Sequence, residues 1–156
     1  MKALIQRVTA GAVVVDGEEI GRIGSGLVIL LGVMPEDDEE TADFLADRCA
    51  GLRIFEDADG KMNRSLLDIA GGALVISQFT LCADVSSGRR PSFSCAAKPD
   101  IAIPLYERFM RALADKSIKV SSGKFGADMK VEIHNDGPVT MMLETKRAAS
   151  GKLQLC

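Results

Sequence analysis

Few residues in this 156-residue chain offer reactive chemistry, and their scarcity narrows the reaction. There is one histidine, His134, so any Ser-His-Asp arrangement must use it. In Lys130-Val131-Glu132-Ile133-His134, alternation sets Val131 and Ile133 on one face and His134 with Lys130 and Glu132 on the other. That reads as an exposed histidine at a strand end, with a general base as the alternative. No Gly-x-Ser-x-Gly elbow is present. No Gly-Lys pair completes a phosphate loop, and Gly21-Arg22-Ile23-Gly24-Ser25-Gly26 has the wrong order for a dinucleotide fingerprint. Cys49, Cys82, Cys95 and Cys156 form no C-x-x-C pair, and no His/Cys/carboxylate grouping suggests a metal. Asp57-Ala58-Asp59-Gly60 opens like a calcium loop, but Lys61 and Met62 stand where a ligand and a glycine are needed, so a turn is expected. What is left is chemistry without cofactor, metal or conventional triad, acting on a substrate that is already activated.

Two motifs stand out. In Ser77-Gln78-Phe79-Thr80-Leu81 a buried run, Leu74-Val75-Ile76, ends in polar residues. Polar groups there must be hydrogen-bonded or face a cavity, as in a pocket floor of hydroxyl, amide and backbone N–H groups. Read as strand, Gln78 and Thr80 share one face, Ser77 and Phe79 the other. A strand simply reaching the surface is the plainer reading. The second motif, Asn135-Asp136-Gly137-Pro138-Val139-Thr140, reads first as a hairpin corner. Gly before Pro is also compatible with an unusual backbone, including a cis bond. Such a corner presents carbonyl oxygens in a set direction.

The elements that must position these motifs follow from periodicity. Strands are expected at 2–8, 12–15 (ending at an Asp16-Gly17 turn) and 18–23. Leu27 to Leu31 is apolar on both faces and reads as a buried central strand. A helix opens near residue 38, with Ala42, Leu45, Cys49 and Leu52 on one face. A short strand at 52–55 and a buried one from Ala73 to Leu81 come next. A second helix covers about 100–116, with Leu105, Phe109, Ala112 and Leu113 on one face. Strands return at 119–122, 129–134 and 139–144. Two helices cannot cover both faces of a parallel sheet, so the expected class is α+β: a mostly antiparallel sheet or barrel with two packed helices. Residues 1–145 read as one domain, and 146–156 as a tail without pattern, expected to be mobile.

Composition is that of an ordinary globular protein, 47% hydrophobic and 26% charged, with no apolar run of membrane-span length and no signal-peptide core at the N-terminus. A cytoplasmic location is expected. The net charge of −3 hides an uneven distribution. Residues 36–43 carry six acids, whereas 86–124 carry eight bases against three acids. The basic stretch could follow a phosphate backbone or be a solvated surface.

Together the two motifs resemble those of the D-aminoacyl-tRNA deacylase family. The resemblance extends, in order, through Ala3-Leu4-Ile5-Gln6-Arg7-Val8, Gly51 to Phe55, Lys61-Met62-Asn63, Gly88-Arg89-Arg90-Pro91-Ser92-Phe93 and Gly123-Lys124-Phe125-Gly126-Ala127. It covers about residues 1–145. Asp128 departs from the pattern, standing where a histidine is expected. The resemblance implies a β-barrel-like homodimer with active sites at the interface and hydrolysis of D-aminoacyl-tRNA, and also of glycyl-tRNA, since glycine is achiral. It implies that Ser77, Gln78, Phe79 and Thr80 line the pocket for the 3′-terminal adenosine and aminoacyl group. The Gly137-Pro138 corner, cis in the family, would enter from the partner subunit, meet the α-amino group and leave no room for an L side chain. Arg7 matches the position that braces this corner. Phe125, Ala127 and Met129 belong to the substrate-binding set.

The reaction asks little of the protein, because an aminoacyl ester is labile and the adjacent ribose hydroxyl helps orient water. Backbone N–H groups near Phe79 and Thr80 suit an oxyanion. Thr80 as a covalent nucleophile is the sharper alternative, but lacks an activating base. Arg89 and Arg90, with Lys146, Arg147 and Lys152 of the tail, are the candidate tRNA contacts. Two rivals stay open: a nucleic-acid-binding module without catalysis, and a small-molecule esterase using Thr80 and His134.

Overall fold

The computed structural model describes residues 1–156. Its organising element is a long first strand, β1 (Lys2–Val15), where two short strands were expected. Asp16 and Gly17, both at positive φ, turn the chain into β2 (Glu18–Ile23), which pairs back on the second half of β1. The first half of β1 pairs with β3 (Gly26–Gly32). Along its other edge, β1 pairs with β8 (Lys130–Arg147). The parallel strands β6 (Gly72–Ser77) and β7 (Lys119–Ser122) extend the sheet beyond β3. The resulting order is β7-β6-β3-β1-β8-β9, the last being residues Leu153–Leu155, with β2 paired to β1. The sheet is thus mixed, with antiparallel pairings in the majority, and it curls. Ser121 Oγ donates to the Arg22 carbonyl at 3.0 Å, linking β7 to β2 across the opening of a half-barrel.

Alternation along the strands divides the interior in two. Val8, Val13, Ile23, Val28, Leu74 and Ile76 fill the inside of the curl. Ala3, Ile5, Leu27, Ile29, Leu31, Ala73 and Val75 face the other way, onto helices α1 (Glu39–Gly51) and α2 (Pro99–Ala114). The expected helical faces are present except for Leu52, which follows the end of α1 in an extended conformation. Ala42, Leu45 and Cys49 are buried on α1, and Leu105, Phe109 and Leu113 on α2. Ala112 is only half-buried, and Ala102 and Tyr106 complete the α2 face.

Asp38 caps α1, its carboxylate accepting from the Thr41 amide at 2.9 Å. The neighbouring acids are matched within the chain. Arg108 pairs with Asp43 and Glu39, Lys116 with Asp47, and Arg147 with Asp38 and Glu40. The two stretches of opposite charge thus partly neutralise one another across the α1–α2 contact.

Asp57 folds into the expected turn, accepting from the Asp59 and Lys61 amides, between the short strands β4 (Phe55–Glu56) and β5 (Met62–Arg64). Residues 146–156 differ from expectation. β8 continues to Arg147 and turns back through β9 (Leu153–Leu155), which pairs with it from Thr145 to Arg147. Leu153 is buried in this hairpin. Five residues, 148–152, separate it from the end of β8, and the three-residue strand is too short a pattern to stand out in the sequence.

Candidate active site

The polar motif does not continue as strand. β6 ends at Ser77, and Phe79–Cys82 form a single 3-10 turn. The expected sharing of faces by Gln78 with Thr80 and by Ser77 with Phe79 therefore does not hold. The competing order is set by backbone bonds. The Gln78 amide donates to Leu31 at 2.8 Å, and the Leu81 amide donates back to Gln78 at 3.2 Å. The leading N–H groups of such a turn, those of Phe79 and Thr80, precede its first internal bond and are free to meet another acceptor. The Gln78 side-chain amide donates to Thr80 Oγ1, tying the hydroxyl to the residue that opens the turn. Phe79 is exposed and packs edge-on against Phe93, with ring centroids 5.1 Å apart.

Beside this turn lies a cavity of about 260 Å³ at the carboxyl end of β6. Ser77, Gln78 and Phe79 form one wall, and Phe125, Ala127 and Met129 the other. Ile76, Gly126 and Val131 complete it. Thr80 is not among the lining residues. The second wall is held from below. The Tyr106 hydroxyl donates to the Val75 carbonyl at 2.7 Å, and the Tyr106 ring meets Phe125 edge-on. Burial pushes that phenol up to about 12, so it stays a protonated donor. Gly123 allows Met129 to approach, since a Cβ there would lie 2.4 Å from the Met129 sulfur. Asp128, between two lining residues, turns outward and pairs with Lys130 at 3.1 Å. A larger depression, about 700 Å³, opens at the opposite ends of β3, β6 and β7, with Arg22 and Lys119 on its rim. It contains no residue of either motif, and size alone does not define a site.

The Asn-Asp-Gly-Pro segment is not a hairpin corner. β8 passes straight through it, remaining on the same partner, β1, before and after. Thr140 pairs with Gln6, and Asn135 with Val8. Four residues, Asp136 to Val139, therefore stand opposite Arg7 alone, and the excess is pushed out as a bulge. The Gly137-Pro138 peptide bond is cis, and Gly137 has φ +119°. Both residues are exposed. Arg7 braces the bulge from within. Its side chain is 5% exposed; Nε forms an ion pair with the Asp136 carboxylate at 3.0 Å and donates to the Asp136 carbonyl at 3.3 Å, and one terminal nitrogen donates to the Ile54 carbonyl at 2.8 Å. Within one chain the bulge lines no part of the 260 Å³ cavity.

His134 is exposed on β8, and Val131 and Ile133 pack inward, as alternation expects. His134 lines neither the cavity nor the bulge brace. Arg89 and Arg90 are exposed in the loop after the 3-10 turn, and neither is in an ion pair. Arg147 is engaged by Asp38 and Glu40, and so is less available than the sequence suggests. Sequence reasoning missed Ile76, Gly126 and Val131 as lining and Ile54 as an anchor for Arg7. Apolar strand residues and a backbone carbonyl carry no chemical signature. It also read Asn135 only as a turn former.

The profile of the D-Tyr-tRNA(Tyr) deacylase family matches residues 4–144. A D-aminoacyl-tRNA deacylase of Thermus aquaticus is 53% identical over 145 residues, covering 93% of this chain and 95% of the relative. One of Roseiflexus castenholzii is 57% identical, covering 93% and 92%. Among solved structures, the c-Myc DNA Unwinding Element Binding Protein superposes with a TM-score of 0.88 at 40% identity, covering 94% of this chain and 99% of that one. A eukaryotic candidate D-amino acid tRNA deacylase shares the fold at a TM-score of 0.78 and 18% identity, covering 90% and 97%. These matches define a class, the hydrolases that act on the ester bond of aminoacyl-tRNA. The chain belongs to the D-Tyr-tRNA(Tyr) deacylase family.

Proposed function

We propose that this protein is a cytoplasmic homodimer that hydrolyses D-aminoacyl-tRNA, and glycyl-tRNA, and rejects the L form at the Gly137-Pro138 bulge. One observation carries the reading. The cavity at the end of β6 is open and the bulge is exposed and braced, yet the two do not meet within a chain. A partner subunit that supplies the bulge completes both. Mirror-image substrates carry identical groups, so only fixed geometry separates them, and a braced backbone keeps its position better than a mobile side chain. The bulge carbonyls receive the α-amino group, and an L side chain meets the backbone.

Ser77, Gln78 and Phe79, facing Phe125, Ala127 and Met129, hold the terminal adenosine and aminoacyl group. The Phe79 and Thr80 N–H groups stabilise the oxyanion as water attacks the ester carbonyl. Thr80 positions rather than attacks, because its hydroxyl is bound to Gln78 and no base adjoins it. Arg89 and Arg90 follow the tRNA backbone by phosphate contacts. Removal of D-amino acids from tRNA in this way serves translational quality control.

The test is amino acid release from D-tyrosyl-tRNA and L-tyrosyl-tRNA by the purified protein. Release from the D form alone is expected. Because a relative in fold and sequence is named for binding DNA, tRNA binding without release from either form would replace the hydrolase with a binding module. Sedimentation at micromolar concentration should give a dimer, and a monomer with full activity would refute the shared site.

A further inference from the structure

We propose that Asn135 is a positioning residue for chiral discrimination, its side-chain amide holding shut the neck of the bulge that carries Gly137 and Pro138. The inference rests on the deacylase reading above. Where β8 leaves the ladder, backbone carbonyls on both strands lose their regular partners and must find others. Asn135 Nδ2 supplies them, donating to the Arg7 carbonyl at 2.9 Å and to the Val139 carbonyl at 3.0 Å. One side chain thus ties the near end of the bulge both to the facing strand and to its own far end. The amide orientation follows from chemistry, since both partners are carbonyls and can only accept. The remaining oxygen, Oδ1, accepts from Thr140 Oγ1 at 3.4 Å, and that hydroxyl in turn accepts from Gln6 Nε2 at 3.2 Å.

Arg7 and Asn135 divide the work. Arg7 holds the Asp136 end from beneath, through the Ile54 carbonyl and the Asp136 carboxylate. Asn135 holds the Val139 end, the residue against which a side chain at Gly137 would press at 2.8–3.0 Å. No other residue type does both jobs at this reach. Aspartate has the shape but no donor, serine and alanine are too short, and glutamine is longer by one methylene. Steric rejection depends on a wall that stays in place. An exposed bulge of a few residues whose neck opens loses its fixed position well before the sheet unfolds. Exclusion of the L substrate then weakens more than turnover of the D substrate does.

The experiment compares kcat/KM for D-tyrosyl-tRNA and L-tyrosyl-tRNA in the full chain, as wild type, Asn135→Asp, Thr140→Val and Ile133→Val. The last deletes one methylene on the inner face of the same strand and reports the effect of lost stability alone. In Asn135→Asp the D/L ratio should fall by about tenfold or more, as expected when a hydrogen bond that holds a wall is lost. In Thr140→Val the fall should be smaller, and Ile133→Val should keep the wild-type ratio. A lower Tm in Asn135→Asp with an unchanged ratio would make Asn135 merely structural and overturn the inference. Should Asn135→Asp not fold, Asn135→Ser, which introduces no charge, is judged by the same ratio. A wild type that releases neither amino acid sinks the deacylase reading instead, and the two failures are told apart.

Discussion

Gly137→Ala puts the most weight on the bulge. Gly137 has φ +119°, outside the region that residues with a Cβ occupy. An added Cβ would sit 2.8 Å from Val139 Cγ2, 3.0 Å from the Val139 amide nitrogen and 3.1 Å from a terminal nitrogen of Arg7. The valine can change rotamer, but its amide cannot move without moving the bulge. Backbone strain of this kind costs about 1–3 kcal/mol. If the bulge shifts to relieve it, that energy is taken from the alignment of substrate. The D-tyrosyl-tRNA rate should then fall about 5- to 150-fold, each ~1.4 kcal/mol being tenfold. Tm should change little where the shift is confined to Gly137 and Pro138, which are exposed, Val139 being the one bulge residue that belongs to the core. The assay is single-turnover release from D-tyrosyl-tRNA and L-tyrosyl-tRNA, beside thermal unfolding. A variant with the wild-type D rate and wild-type rejection of L would refute a role for the bulge backbone in selection.

Three further outcomes are expected. The Thr41 hydroxyl and amide hold the Asp38 carboxyl below its ordinary range, so its stabilising effect is complete above the unfolded value near ~3.9 and is lost as pH falls through the lower folded value. Asp38→Ala should cost about 1 kcal/mol at pH 7, with the Tm difference from wild type closing in acid; a difference constant down to pH 2 would contradict this. Cys49 is fully buried, its thiol pushed up to about 12, and Cys82 is buried and also raised. Ellman's reagent should therefore titrate only the two exposed thiols, Cys95 and Cys156, in the folded protein, and a fast third thiol would contradict the core packing. Replacing Arg89 and Arg90 by alanine should raise KM for charged tRNA, leave kcat unchanged and flatten the salt dependence by about one unit of log–log slope per lost phosphate contact. An unchanged salt slope would place the tRNA elsewhere.

Much of this architecture was legible in the sequence because its period is local. The two-sided apolar run at 27–31, the one-sided faces of both helices and the Asp16-Gly17 turn each follow from residues that are neighbours in the chain. What was misread depends on partners far away. Ser77 is the last residue of β6, and the Gln78 amide that follows is held by Leu31, forty-seven residues earlier, before the chain turns. The Asn-Asp-Gly-Pro segment has the composition of a corner, but whether strand direction reverses there is decided by β1. Residues 153–155 become strand only because β8 offers an edge. For the site, the polar end of β6 and the Gly-Pro step were visible from residue type. The apolar lining and the support of Arg7 by Ile54 were not, since a carbonyl looks alike at every position.

The long first strand also bears on the order of events during synthesis. β1 leaves the ribosome before β8, yet one whole edge of it is matched by β8, so that Lys2 waits for Glu144 and Arg7 for Asp136. Contacts that span nearly the full chain form late and slowly. Until then the Arg7 guanidinium, later almost fully buried, and the open edge of β1 stay in water. The brace is therefore absent from any nascent chain in which β8 has not yet emerged. A ribosome-bound fragment ending before residue 130 can build the α1 face of the core, but not the braced bulge at Gly137 and Pro138.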